Sequence, residues 1–220
     1  MYTLHYWPDT ASTILRLVLR ELDLPVRERR IDREGGELGT PAYRQLHPLG
    51  LIPAMETPHG PMFETAAMLL YLSDRHPGLA PLPDSPDRAA FLKWLFFTSS
   101  NVHPTVMQLN YPDRVAGPDC TAAALTHAHR RMATYLPLLE QVAATNPDWL
   151  PSHRASVLGY YVAVLIRWLS GFDPGQGLHF HSRDYPALNR VLACLEARPA
   201  ALAVAADEGL GPTIFTNPAY

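Results

Sequence analysis

Two hydroxyl side chains, Thr10 and Ser12, flank Ala11 where a short strand pattern gives way to a helical one. A hydroxyl beside a helix N-terminus can donate to an anion, and the unpaired N–H groups of the first turn favour the same charge. It can equally cap the helix by accepting from one of those N–H groups. Glu64-Thr65 repeats the arrangement at the head of a second amphipathic pattern. There Thr65 offers a carboxylate one more donor, and capping alone again satisfies the pair. Between the two lies Ile52-Pro53, an X-Pro step of the kind that ordinarily leads into a strand.

Other reactive residue types form no complete site. His127 with His129 and His179 with His181 invite a metal reading, but no Cys, Asp or Glu cluster completes four ligands, so no metal is expected. Two cysteines, Cys120 and Cys194, cannot build a disulfide scaffold and point to a reducing compartment. Both fall far from Thr10 and Ser12. Arg27, Arg29, Arg30 and Arg33 read as a solvated strand edge that resists pairing.

The elements that must position these residues follow from periodicity. Tyr2, Leu4 and Tyr6 alternate with Thr3 and His5, which predicts a strand with one face buried. Ile14, Leu15, Val18, Leu19 and Leu22 then recur at helical spacing up to Pro25. Val26 to Ile31 is a charged, edge-like strand. A short helix is expected near Pro41 to Leu46, then a hairpin from Ile52–Glu56 and Pro61–Phe63 around Thr57-Pro-His-Gly60. Ala67, Met68, Leu70 and Leu72 place the next helix after Glu64-Thr65. The order is βαβ, helix, ββ, helix.

His76 to Asp87 holds Pro77, Pro81, Pro83 and Pro86, too many for regular structure, and marks a linker. Beyond it every pattern is helical: one from Phe91 to Tyr111, Thr121 to Ala144 around Pro137, Ser156 to Leu169, and Tyr185 to Arg198. The third is apolar on nearly all sides and belongs at the centre of its domain.

Composition narrows the class further. Among 220 residues, 47% are hydrophobic and 18% charged, which excludes a disordered chain. A net charge of −3 argues against binding nucleic acid phosphate. The apolar run Tyr160–Ile166 is too short to span a bilayer, and the first residues lack the pattern of a secretion signal. A soluble, cytoplasmic protein without membrane or nucleic acid partners is expected.

Four segments then resemble the cytosolic glutathione transferase family. His47-Pro-Leu-Gly-Leu-Ile-Pro-Ala54 is similar to its Asn-Pro-x-Gly-x-Val-Pro-Ala segment, and Phe63-Glu-Thr-Ala-Ala-Met-Leu-Leu-Tyr-Leu72 to its Glu-Ser-x-Ala helix start. Asp148-Trp-Leu150 resembles the aromatic pair before the central helix; Glu196-Ala-Arg-Pro199 and Asp207-Glu-Gly-Leu210 resemble the C-terminal helices. Bacterial beta-like members look nearest. The resemblance implies an α/β plus all-α fold: a thioredoxin-like domain over residues 1–80 with a cis Pro53, then an all-helical domain over 87–220. It implies a homodimer, with Met62, Phe63, Phe91, Trp94 and Phe97 near the partner surface.

It also implies glutathione as co-substrate and a small apolar electrophile as acceptor, in a detoxifying conjugation. A glutathione-binding or regulatory protein without catalysis, and a glutathione-dependent disulfide reductase or isomerase, stand as alternatives. In the conjugation reading, Ile52 and Pro53 hold the cysteinyl main chain, Thr65 the γ-glutamyl carboxylate, and Glu64 the ammonium group. Arg33 holds the glycine carboxylate and His103 faces the peptide. Thr10 or Ser12 stabilises the thiolate, since Ala11 stands where beta-like members carry a cysteine. Asp9 is expected to cap the helix. Val106, Met107, Tyr111 and Trp168 are expected to wall the acceptor pocket. Four departures stand out: Ala11, Pro104 in place of a lysine after His103, Gly36 near the place of the family's lysine after strand two, and Ser156-Val-Leu-Gly159, which lacks the second half of a reciprocal cap.

Overall fold

A computed structural model describes residues 1–172 and 180–220. Its first part is a mixed four-stranded sheet built from β1 (Tyr2–Tyr6), β2 (Val26–Arg30), β3 (Ala54–Thr57) and β4 (Gly60–Met62), in the order β2-β1-β3-β4. β1 pairs with β2 in parallel and with β3 antiparallel, with Leu4 opposite Glu28 and Met55. Helices α1 (Ala11–Glu21), α2 (Pro41–Arg44) and α3 (Thr65–Arg75) complete this thioredoxin-like unit.

The sheet is covered on both faces, which corrects the reading of β1 as buried on one side only. Leu4 is fully buried towards the main core, and His5 is only 3% exposed. His5 survives burial because both ring nitrogens are engaged: Nε2 lies 2.8 Å from Glu56 Oε1, and Nδ1 accepts from Arg29 at 3.3 Å. Ile31, Tyr43 and Ala54 form a small second core. Alternation marks a two-faced strand but does not tell which polar residues find partners.

The helical part follows the proline-rich link. It contains α4 (Arg88–Phe97), a wide π turn (Thr98–Val102), α5 (His103–Asn110), α6 (Pro112–Ala116), α7 (Thr121–Ala144), α8 (Val157–Ser170), α9 (Pro186–Glu196) and α10 (Pro199–Glu208). α8 is buried along nearly its whole length, as its apolar sequence requires. Ser156 Oγ still accepts from Gly159 N at 3.0 Å, so half of the cap persists without an acidic partner. A side chain at Gly159 would meet Leu195 of α9 at 3.2 Å, so the glycine lets the two helices approach. Among the described residues no helix is long and apolar enough to cross a membrane.

Helical phase corrects one surface expectation. Phe91 is completely buried, and Trp94 and Phe97 stack edge-to-face against each other, Phe97 also on Tyr135. Phe96 is the residue turned outward, 48% exposed.

α1 sits between the sheet and the helical bundle, and Ala11 through Leu19 are all buried. Arg16 lies within this stretch and is 1% exposed. Its guanidinium reaches Glu28 at 2.6 Å, Glu208 at 2.8 Å and Asp207 at 3.1 Å, which ties β2 and α10 to α1. At the far end Glu21 accepts from Tyr160 at 2.7 Å and from Arg198. The two halves are thus joined through polar contacts as well as apolar ones.

Candidate functional site

The β1–α1 loop brings the first hydroxyl pair to a cavity of about 810 Å³ between the sheet and the helices. Thr10 is the N-cap of α1 and its Oγ1 accepts from Ser12 N at 3.3 Å. The same hydroxyl lies 2.7 Å from the Trp7 carbonyl, to which it donates. Thr10 and Ala11 line the cavity. Ser12 does not, which corrects the expectation that either hydroxyl could face a ligand. Ser12 is fully buried, accepts from Trp7 N at 3.2 Å, and lies 3.0 Å from the Trp7 carbonyl and 2.7 Å from Thr10 Oγ1.

Asp9 does not cap the helix. Its backbone turns back at φ 50°, and the carboxylate leaves the sheet unit for α8. Arg167 donates to it twice, Nε to Oδ1 at 3.0 Å and Nη2 to Oδ2 at 2.9 Å, and Trp168 Nε1 donates to Oδ1 at 2.9 Å. The Asp9 N–H donates to Glu208 at 2.9 Å. Asp9 still lines the cavity, and its charge there is balanced by Arg167. Nothing in the sequence signals this set, whose members lie 158 and 159 positions apart.

On the floor of the cleft the Ile52–Pro53 peptide is cis, as the resemblance implies, and both residues line the cavity. Gly50 holds φ +63° with its α-carbon against the Leu38 carbonyl, where a β-carbon would come within 2.5 Å. Only glycine fits there. Glu64 also adopts a positive φ, 71°, and its side chain makes no cap bond. It is exposed at the cavity wall, while Thr65 beside it is buried at the α3 N-terminus. Among the described residues nothing hydrogen-bonds the Thr65 hydroxyl. Arg33 is exposed at the same wall.

His47 was legible only as part of its motif, yet it too lines the cavity. Its ring packs on Phe63 with centroids 4.8 Å apart, and Nδ1 is buried with no partner among the described residues. Burial holds its pKa below the ordinary histidine value, against the pull of Glu64.

The helical wall carries His103, Met107, Tyr111 and Trp168. Val106, expected there, points into the core. Nδ1 of His103 lies 2.9 Å from the Tyr161 hydroxyl, and burial pushes the imidazole pKa down to about 4, so the ring is neutral near pH 7. Pro104 and Arg114 line the same side, Arg114 over the Tyr111 ring at 4.1 Å. Tyr220 closes one edge, its hydroxyl donating to the Arg167 carbonyl.

The metal expectation is touched only in part. Among the described residues no three His, Cys, Asp or Glu side chains gather as a metal group. Leu178 and His179 lie outside the described residues. Cys120 is exposed, and burial raises the Cys194 thiol.

Sheet, cis-proline floor and facing bundle define a two-domain protein of the thioredoxin-like class, with its cleft between the domains. The family profile of the glutathione S-transferase N-terminal domain matches residues 4–80. An uncharacterized GST-like protein, YncG of Escherichia coli K12, is 29% identical over 171 residues, covering 76% of this chain and 81% of that one. The disulfide-bond oxidoreductase YfcG of the same organism is 27% identical, over 71% and 75%. A solved sphingomonad glutathione S-transferase complexed with glutathione superposes with a TM-score of 0.74 at 27% identity, over 95% of this chain and all of that one. Residues 4–80 thus match the N-terminal domain of the glutathione S-transferases, and the chain is similar to such proteins over most of its length.

Proposed function

We propose that the cleft binds glutathione and that the bound thiolate attacks small apolar electrophiles. The observation that carries this reading is one cavity into which two helix N-termini open, α1 at Thr10-Ala11 and α3 at Glu64-Thr65. Each end attracts negative charge. The γ-glutamyl carboxylate sits on Thr65, the ammonium group on Glu64, and the glycine carboxylate on Arg33. The Ile52 backbone beside Pro53 exchanges main-chain hydrogen bonds with the cysteinyl residue, as an added strand would. His103 contributes a neutral wall to the bound peptide.

The thiolate lies at the first turn of α1. A free thiol has a pKa near ~8.5, and donors aimed at the sulfur lower it. Thr10 has one proton, which the Trp7 carbonyl now takes. Ser12 lies 3.0 Å from that same carbonyl and can take over the donation. Thr10 is then released to donate to sulfur while the carbonyl stays satisfied. In the transfer, sulfur forms a bond to the electrophilic carbon. The displaced pair leaves with a halide, or moves onto the activating group and takes a proton from water.

A second reading has one observation in its favour. A relative named as a disulfide-bond oxidoreductase is 27% identical to this chain, and Ala11 leaves α1 without a competing cysteine thiol. Bound glutathione would then attack a disulfide sulfur instead of carbon. The protein acts as a cytoplasmic homodimer in this proposal, with Phe63 and Phe96, 38% and 48% exposed, covered by the partner. Sedimentation at micromolar concentration should give about twice 24.5 kDa.

The deciding experiment is a glutathione titration followed by ultraviolet thiolate absorbance, with chloronitrobenzene and mixed-disulfide acceptors added in turn. Thiolate below the pH of free glutathione, with chloride release, supports transfer. Turnover of the disulfide alone supports reduction. Binding without thiolate or turnover leaves a binding protein and overturns both.

A further inference from the structure

On the helical side of the cleft, nearly every polar group is already spent. Asn110 Nδ2 donates to the Val106 carbonyl at 3.0 Å, and Ser99 Oγ to the Phe96 carbonyl at 3.3 Å. Trp168 is held by Asp9, and the Tyr220 hydroxyl by the Arg167 carbonyl. Among the described residues, Arg114 is the guanidinium on this side that no hydrogen bond takes up. Its guanidinium carbon lies over the Tyr111 ring, 4.1 Å from the centroid, and among the described residues no carboxylate pairs with it. A cation held over a ring in this way keeps its N–H groups for a ligand. Asp113 precedes it in the chain but does not line the cavity.

We infer that Arg114 selects acceptors that carry a carboxylate. This rests on the transferase reading of the cleft, and it names the substrate class that the reading leaves open. A guanidinium edge matches a carboxylate with two parallel hydrogen bonds, whereas an ester or a hydrocarbon gains nothing from it. Met107 and Tyr111 supply the apolar surface for the rest of the acceptor. Arg33, on the opposite wall, is assigned to the glycine end of glutathione. The cleft therefore places one cation against each partner of the reaction.

The test uses a matched pair, 4-chloro-3-nitrobenzoate and its methyl ester. In both, the glutathione sulfur bonds to the ring carbon, chloride leaves with the bonding pair, and the thiol proton goes to solvent. Taken relative to the uncatalysed rates with glutathione, where the ester is the better activated, the wild-type protein should favour the acid about ten-fold in kcat/KM at low salt, the preference shrinking as ionic strength rises. Arg114→Leu should bring the ratio to about one, and Arg114→Lys should retain part of it. In parallel, calorimetry compares binding of S-(4-carboxy-2-nitrophenyl)glutathione and its methyl ester, which needs no turnover. A ratio that is unity in the wild type, or unchanged in Arg114→Leu, by both readouts overturns the inference. A carboxylate preference in binding that Arg114→Leu removes, without turnover of either acceptor, upholds Arg114 and sinks the transferase reading alone.

Discussion

Asp9 and Arg167 meet across the domain boundary through two parallel hydrogen bonds, one from Nε and one from Nη2. The arginine side chain is 3% exposed and the aspartate side chain 30%. Asp9→Asn keeps a residue that tolerates a positive φ but removes the charge, leaving a buried guanidinium without its counterion. It should destabilise the protein by about 1–3 kcal/mol. Urea unfolding checks this, and adding Arg167→Met should restore part of the loss.

Thr65 tests the assignment of the glutathione carboxylate. Thr65→Ala removes one donor to a charged group and should weaken glutathione binding about ten-fold in calorimetry. Thr65→Ser should bind nearly as the wild type does. An alanine variant within two-fold of wild type would place the carboxylate elsewhere.

The two loop hydroxyls should separate. Thr10→Val removes the donor proposed to face sulfur, and the thiolate absorbance of the complex should appear about one pH unit higher. Ser12→Ala removes the buried acceptor of the Trp7 N–H, so its main effect should be on stability, about 1–2 kcal/mol. A thiolate titration that Thr10→Val leaves in place would assign the sulfur to backbone N–H groups near Ala11.

His103 predicts a direction for acid sensitivity. Its pKa falls to about 4 in the folded protein because burial disfavours the charged ring. As pH drops below the ordinary value of about 6.5, the unfolded chain takes up the proton first, so stability present at pH 7 is lost. Between pH 7 and pH 5 this contributes about 2 kcal/mol. His47 pulls the same way. His103→Asn should flatten that part of the urea-midpoint profile.

Much of this architecture is legible because local periodicity and turn chemistry carry it. Tyr2 and Leu4, the α1 apolar positions and the Glu64-Thr65 helix start all land where their spacing puts them. The Ile52-Pro53 floor is legible only through its motif. The choice between Thr10 and Ser12 is not, because two residues of loop turned by the positive φ of Asp9 decide which hydroxyl faces out. The burial of Arg16 and the Asp9–Arg167–Trp168 set depend on partners more than 150 positions away. Phe91 and Phe96 differ only in helical phase: five positions apart on one helix, they face different ways.

The π turn at Thr98–Val102 sets the rotation of everything after it. There the His103 N–H reaches back five residues to the Thr98 carbonyl, where a regular α-helix would reach back four. That one surplus residue is worth about 100° of helical rotation. α4 can therefore turn Phe91 and Leu95 into the core while His103 and Met107, on the same continuous rod, look into the cleft. Removing a residue from this turn would swing the helical wall around its axis without disturbing a single residue on it, so the pocket's chemistry is stored as an angle as much as a composition.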